Sequence, residues 1–145
     1  MTHEELINKY PKIFQDYVGN PERCNWDIPK SWIPIVDVLC ASIQNYVDTV
    51  SHYDKEKDKW VGVEQVTCFQ MKEKYGSLCF YTNGNDEFVN GMIYIAEHLS
   101  HNTCQHCGSN EDLGKTSDWI AVLCRKCVIA NGDRAMNGWK PLNKR

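Results

Sequence analysis

Residues 104–127 read CQHCGSNEDLGKTSDWIAVLCRKC, and the cysteines in this stretch decide how the C-terminal part of the chain folds. They form two CxxC pairs separated by 16 residues: Cys104 with Cys107, and Cys124 with Cys127. Two intervening residues let a tight turn direct both sulfur atoms at one point, and Gly108 can supply the left-handed backbone that closes such a turn. This spacing is typical of a four-thiolate zinc site.

Four thiolates on one Zn²⁺ leave no open coordination position, so the pattern predicts one structural zinc ion rather than a catalytic one. Two disulfides or four buried thiols are the alternatives. We favour zinc because the spacing lies within the zinc range and nothing in the sequence indicates export. His106, inside the first pair, could replace a cysteine as a ligand.

Length and composition predict a folded protein in a reducing compartment. The 145 residues fit one domain, or one domain with a metal-stapled appendage, and an apolar fraction of 42% excludes a mostly disordered chain. The N-terminus lacks the apolar stretch of a signal peptide, and no run approaches the roughly 18 apolar residues of a membrane span. We therefore expect a cytoplasmic protein with no membrane association. The other cysteines, which we expect to be buried thiols, are Cys24, Cys40, Cys68 and Cys79.

Helical periodicity predicts three helices in the first hundred residues. Thr2 and Glu5 have the pattern of a capping box, and apolar residues recur at helical spacing as far as Val18, with Pro11 placed to kink or split that helix. Pro34 suits the first turn of a central helix that extends to about Val50. Asp86 or Asn85 can cap a third helix. Its expected buried stripe is Phe88, Val89, Met92, Ile93, Ala96 and Leu99.

The segment between the second and third helices predicts a β-hairpin over residues 63–82 with its turn at Gly76. Alternation places Phe69 and Met71 on its buried face, together with Leu78 and Phe80. The mixed-charge run at 54–59 favours a solvated loop. Residues 119–123 favour a short strand packed over the metal, followed by a helix that begins at the second cysteine pair.

These elements give an α+β fold in which helices pack on a β-hairpin or small antiparallel sheet. Residues 1–101 form the predicted α+β body, and residues 102–145 form a treble-clef-like zinc module. We expect the two parts to make one compact unit.

Charge is divided unevenly along the chain. Residues 1–100 hold 9 Lys and Arg against 15 Asp and Glu, whereas residues 101–145 hold 7 against 4. The basic excess near the cysteines either neutralises the thiolates or forms a surface for nucleic acid. Candidate contact residues for nucleic acid or a protein partner are Lys72, Lys74, Arg125, Lys126, Arg134 and Trp139. Further basic residues and a second tryptophan in the same region are Lys115, Lys140, Lys144, Arg145 and Trp119.

Two histidines and the missing catalytic motifs bear on enzymatic function. His98 and His101 share a helical face, where they could bind a metal, pair with a carboxylate, complement the helix end, or simply be surface residues, which we favour. No GxSxG, phosphate-loop or HExxH motif is present, and no histidine follows His106 to serve a nuclease of the His-Asn-His type. We therefore expect a non-enzymatic protein.

The segment KEKYGSLCFYT at 72–82, the AEHLS helix end, and the CxxCG and LCxxC pairs together resemble a group of small, largely uncharacterised phage, prophage and bacterial proteins. Typical members have KEKFGGLRFYT. Tyr75, Ser77 and Cys79 replace the usual Phe, Gly and Arg, so a role for that arginine does not transfer to this chain. The resemblance implies an accessory factor of a phage or mobile element.

We therefore expect a zinc-stabilised binding protein that binds and modulates a host protein, in the manner of host-takeover or anti-defence factors. Nucleic-acid binding through the basic zinc-module face is the main alternative. A nucleotide-signal binder and a nuclease are remote alternatives. The sequence does not specify an oligomeric state.

Overall fold

Helices and small antiparallel sheets follow one another in the computed structural model, which describes residues 1–20, 26–132 and 138–143. The helices in these ranges are α1 (His3–Lys9), a 3₁₀ helix (Lys30–Trp32), α2 (Ile33–Thr49), α3 (Glu87–His101) and α4 (Arg125–Ala130). The strands are β1 (Ser51–Asp54), β2 (Lys59–Gly62), β3 (Thr67–Lys74), β4 (Ser77–Asn83), β5 (Leu113–Lys115), β6 (Val122–Cys124) and β7 (Lys140–Pro141). The predicted α+β class is confirmed.

Helix α1 begins with the predicted capping box and ends earlier than predicted. The Thr2 hydroxyl accepts a hydrogen bond from the Glu5 backbone N–H, and the Glu5 carboxylate accepts one from the Thr2 N–H. The helix stops at Lys9 because Pro11 has no N–H to donate and disfavours helical backbone in the residue before it. Residues 11–19 form turns, so the prediction of helix as far as Val18 is wrong.

Helix α2 lies at the centre of the main core, and Pro34 occupies its first turn as predicted. It buries Val36, Leu39 and Ile43 in a core that also contains buried residues of α3 and the β3–β4 hairpin. Ile13 and Phe14 reach the same core from their turns. Trp26 packs at its edge, with its ring centroid 4.8 Å from that of Phe14. Residues 21–25, which include Cys24, lie outside the described residues.

The β3–β4 hairpin turns at Tyr75 and Gly76, as predicted. Both residues have positive φ angles, 53° and 79°, which match a two-residue type I′ turn. Register is regular from the turn back to Gln70, which pairs with Tyr81, but a β-bulge lies between Cys68 and Gln70. The bulge moves Phe69 to the outer face, where 44% of the residue is exposed, so its predicted burial beside Met71 is wrong.

Three other sequence predictions are corrected. The run at 54–59 is solvated, but it contains the turn of a β1–β2 hairpin rather than an unstructured loop. Phe88 and Leu99 of α3 are exposed, and Ser100 is buried instead. Trp119 is 81% exposed and precedes the strand β6, which begins only at Val122.

The residues on either side of position 101 are in contact. The Trp32 indole N–H donates to the Thr103 carbonyl at 3.4 Å. At the hairpin turn, a Cβ added to Gly76 would lie 3.3 Å from the Val122 side chain. The division of the chain into 1–101 and 102–145 stays a prediction, but these contacts join the two parts directly.

Candidate metal centre

The four predicted ligands come together at one point. The Sγ atoms of Cys104, Cys107, Cys124 and Cys127 all lie within 4.8 Å of one another. Sulfur atoms around a tetrahedral zinc with Zn–S bonds of about 2.3 Å are about 3.8 Å apart. The Cys107 and Cys124 sulfurs are separated by 3.7 Å, close to that value and well beyond the roughly 2.05 Å of a disulfide. The cluster can therefore hold a metal ion.

The first pair is positioned by a closed turn. Gly108 donates its N–H to the Cys104 carbonyl at 2.9 Å, and Cys104 donates its own to the Ser109 carbonyl at 2.7 Å. Gly108 has φ 81°, so the predicted left-handed glycine is confirmed. The turn brings both sulfurs of the pair to the same side.

The second pair is positioned where a strand meets a helix. β6 ends at Cys124 and pairs with β5, while α4 begins at the next residue and carries Cys127 in its first turn. Val122 and Val128 are fully buried beside the cysteines. α4 ends at Ala130, with Asn131 as its C-cap, and residues 133–136 lie outside the described residues.

Local electrostatics distinguish the cysteines. Burial opposes ionisation of Cys104, but backbone N–H groups directed at its sulfur outweigh burial and lower its pKa to about 7. Burial raises the pKa of Cys127, and the neighbouring sulfurs raise it further. His106 is not part of the converging group; its Nδ1 lies 3.4 Å from the Cys127 sulfur, within hydrogen-bond reach.

Two of the predicted contact residues on the module contribute to its own packing. The Arg125 guanidinium bonds both carboxylate oxygens of Asp112, at 2.9 and 3.3 Å, and lies 4.9 Å from the Trp139 ring centroid. The Trp139 indole donates to the Leu123 carbonyl at 3.0 Å. Lys126 is exposed. Arg134, Lys144 and Arg145 lie outside the described residues.

Lys72 and Lys74 each lie over an exposed aromatic ring. The Lys72 ammonium is 5.5 Å from the Tyr81 ring centroid, and Tyr81 in turn stacks on Phe69 with centroids 6.0 Å apart. The Lys74 ammonium is 5.8 Å from the Tyr75 ring. Sequence reasoning missed Phe69, because alternation alone carries no signal for the bulge that turns it outward.

His98 and His101 are neighbours, with ring centroids 5.4 Å apart. His101 Nε2 lies 2.8 Å from the Ser77 hydroxyl, and its pKa is lowered by burial and by the charges of Lys115 and His98. Across the described ranges, the four cysteines are the only group of three or more potential ligands placed to hold a metal. The histidines therefore have no third ligand there.

The remaining cysteines of the described ranges differ in burial. Cys40 and Cys68 are buried as predicted, and Cys79 is half-buried. Burial raises the pKa of Cys40 well above its ordinary value. No helix in the part of the chain that the structure describes is both long and apolar enough to span a membrane.

Comparison with known proteins returns no match to a family model, to a curated protein or to a solved structure. The resemblance to phage and bacterial proteins stays a prediction. Functional inference therefore depends on the chemistry of the residues themselves.

Proposed function

We propose that this protein is a non-enzymatic binding protein whose fold is stabilised by one structural Zn²⁺ held by Cys104, Cys107, Cys124 and Cys127. The convergence of four thiolates within 4.8 Å carries the metal part of the proposal. Thiolate ligands favour zinc among the common divalent ions of proteins, and a fourth protein ligand leaves no site for water. The order of turn, β5–β6 hairpin and α4 fits a treble clef.

The outer face of α3 supports binding to a protein partner. Phe88, Ile95 and Leu99 lie at i, i+7 and i+11, so they share one side of the helix, and each is more than half exposed. Tyr94, beside this row, is equally exposed, and Phe88 stacks on Tyr46 with ring centroids 4.6 Å apart. Exposed apolar residues aligned on one side of a helix mark an interaction surface more often than scattered apolar residues do. We call Phe88, Ile95 and Leu99 the α3 stripe.

The resemblance to phage and mobile-element proteins supports the kind of partner. An accessory factor of this kind acts in the host cytoplasm, where it binds and modulates a host protein. Cysteine thiolates stay reduced in the cytoplasm, so a four-cysteine zinc site is compatible with that compartment.

Affinity capture from host lysate tests the proposal when wild type and surface variants are compared. A true partner is retained by wild type and released by the double variant Ile95→Ser, Leu99→Ser. Val38→Ser is the matched control, because Val38 is an exposed aliphatic residue of α2 outside the stripe. Binding is then repeated with the purified partner. If no captured protein separates the stripe variant from the control, the α3 stripe is not the binding surface.

Nucleic-acid binding is the second candidate, and the outer face of the β3–β4 hairpin favours it. Phe69 and Tyr81 present stacked rings beside the Lys72 ammonium, a combination that suits single-stranded DNA or RNA. We expect electrophoretic mobility shifts at low salt that weaken steeply as salt rises, and weaker binding by Phe69→Ala and Lys72→Gln. Lys126→Gln tests the alternative face beside the cysteines. Absence of any shift at low salt excludes this function.

A further inference from the structure

A cleft of about 280 Å³ lies between the tip of the β3–β4 hairpin and the loop before β6. Tyr75 from the hairpin turn and Trp119 from the loop line it, together with three acidic residues, Asp27, Glu73 and Asp118. The cleft therefore combines side chains from the helical body and from the metal-binding module. Sequence reasoning did not associate these residues, which are up to 92 positions apart in the chain.

The walls of the cleft are held in place by the fold. Glu73 accepts a hydrogen bond from the Gly76 N–H at 2.6 Å, which fixes the hairpin turn. The Glu73 N–H donates to the Asp27 carbonyl at 2.7 Å, so the segment at Asp27 is attached to the edge of β3. A Cβ added to Gly76 would lie 3.3 Å from the Val122 side chain and 3.5 Å from the Ile120 side chain, so the hairpin turn lies close to the loop before β6. The cleft is thus largely formed before any ligand arrives.

The two aromatic residues that line the cleft are highly exposed to solvent. Tyr75 is 70% exposed and Trp119 is 81% exposed, so most of each ring faces water. An aromatic face attracts a cation within about 6 Å, and tryptophan does so most strongly. The Lys74 ammonium already occupies such a position at Tyr75, 5.8 Å from the ring centroid. No cation of the described residues lies over Trp119.

The charges of the residues lining the cleft favour a cationic ligand. Among the described residues, Lys74 is the one basic residue lining the cleft, against three acidic residues. Glu73 is engaged by the hairpin turn, whereas the carboxylates of Asp27 and Asp118 have no hydrogen bond or ion pair to any described residue. A nucleic-acid phosphate would be repelled here. A cation with a flat face would contact the tryptophan and pair with the carboxylates at once.

The volume limits the size of that cation. Small-molecule sites usually occupy about 300–1,000 Å³, so a cleft of about 280 Å³ suits one long side chain rather than a nucleotide. A guanidinium is planar, stacks on aromatic rings and pairs with carboxylates through parallel hydrogen bonds, which a compact ammonium cannot do.

We propose that this cleft binds an arginine side chain presented by a partner protein, with the guanidinium on Trp119 and paired with Asp118 or Asp27. The presentation by a protein rests on the proposed function, but the recognition of the guanidinium does not. The cleft and the α3 stripe are formed by different residues. A partner can therefore contact either one alone, and the two proposals can fail separately.

The test is an NMR titration of the purified, zinc-loaded protein with a short acetylated and amidated peptide that contains one arginine. A matched peptide carries citrulline, which has the same shape without the charge. We expect saturable shifts of the Trp119 indole N–H, assigned with Trp119→Phe, and a Kd in the millimolar range for the arginine peptide. Measured through the backbone amides of the cleft, which every variant keeps, Trp119→Ala should raise Kd about fivefold and Asp118→Asn about twofold or more.

Trp60→Ala and Asp16→Asn are the controls. Trp60 is a comparably exposed tryptophan on the β1–β2 hairpin, and Asp16 is an exposed carboxylate, and neither lines the cleft. Both variants should keep the wild-type Kd. Equal binding of the citrulline peptide, loss of binding in a control, or no saturable shift over the millimolar range each overturns the proposal. Displacement of the peptide by inorganic phosphate or a single-stranded oligonucleotide overturns it as well.

Discussion

Ser100 supplies the most direct test of the packing between α3 and the β3–β4 hairpin. It is the polar residue that the described chain buries completely. Its hydroxyl accepts a hydrogen bond from the Leu78 N–H at 2.9 Å and donates to the Glu97 carbonyl at 2.5 Å. Leu78 is itself fully buried, and its N–H would otherwise face α3 with no acceptor at the edge of β4.

Ser100→Ala should destabilise the protein through that one N–H group. An unsatisfied buried donor costs about 1–3 kcal/mol, whereas the Glu97 carbonyl keeps its ordinary helical partner and loses little. The better helix propensity of alanine returns up to about 0.5 kcal/mol. The expected net loss is about 0.5–2.5 kcal/mol, which lowers Tm by about 2–8 °C in a chain of this size.

Thermal and urea denaturation of wild type, Ser100→Ala and Ser42→Ala measure the effect. Ser42 is exposed in α2, so its replacement gives the propensity gain without a lost buried hydrogen bond. Hydrogen exchange at the Leu78 amide should also accelerate in Ser100→Ala. If Ser100→Ala is as stable as Ser42→Ala and the Leu78 amide stays protected, the hydrogen bond does not contribute as argued.

Metal analysis should find one zinc ion per chain. The Cys104→Ser variant should lose both the zinc and the fold of the C-terminal part, whereas the control Cys79→Ser should keep both. A metal-free Cys104→Ser variant that folds fully would refute a structural role for the metal. A Cβ at Gly114 would lie 2.2 Å from the Trp139 ring, so Gly114→Ala should lower the free energy of unfolding by about 1–3 kcal/mol, as measured by urea denaturation. Gly62→Ala is the control, because a Cβ at Gly62 meets nothing within 4 Å, and its stability should be close to that of wild type. Burial raises the pKa of Tyr10 from 10.0 to about 12, with a smaller contribution from the hydrogen bond that its hydroxyl donates to the Asp37 carboxylate. Because the unfolded tyrosine ionises first, a stability contribution on the order of a few kcal/mol is complete below pH 10 and lost as pH rises through 12. Tyr10→Phe should remove that slope from a stability profile over this range.

Features set by a few neighbouring residues could be predicted from the sequence. The capping box needs only Thr2 and Glu5, and the two-residue turn needs only a glycine that tolerates positive φ. The convergence of the cysteines likewise follows from local turns within each pair, together with the short hairpin that joins them. In each case the relevant contacts lie close in sequence, where spacing determines geometry.

The wrong predictions concern features that depend on contacts between distant parts of the chain. One extra residue at the bulge reverses the face of Phe69, because strand side chains alternate with a period of two. Leu99 is more apolar than Ser100, yet Ser100 is buried because its hydroxyl satisfies the edge of β4. The sequence of α3 alone does not indicate that a strand edge with an unpaired N–H lies against Ser100. Tyr75 and Trp119 also acquire a common role only when the hairpin turn meets the module.

The metal centre and the cleft are connected through the β5–β6 hairpin, although none of the four cysteines lines the cleft. Thr116 accepts a hydrogen bond from the Ala121 N–H at 2.9 Å and donates to the Trp119 carbonyl, so the loop that carries Trp119 is closed across the end of the hairpin. The other end of β6 is Cys124, a proposed zinc ligand. A metal that fixes Cys124 therefore also fixes the hairpin on which the Trp119 loop is built. A zinc ion bound there would need no open coordination site to matter for the proposed arginine binding, because it would act by positioning a surface that it does not touch.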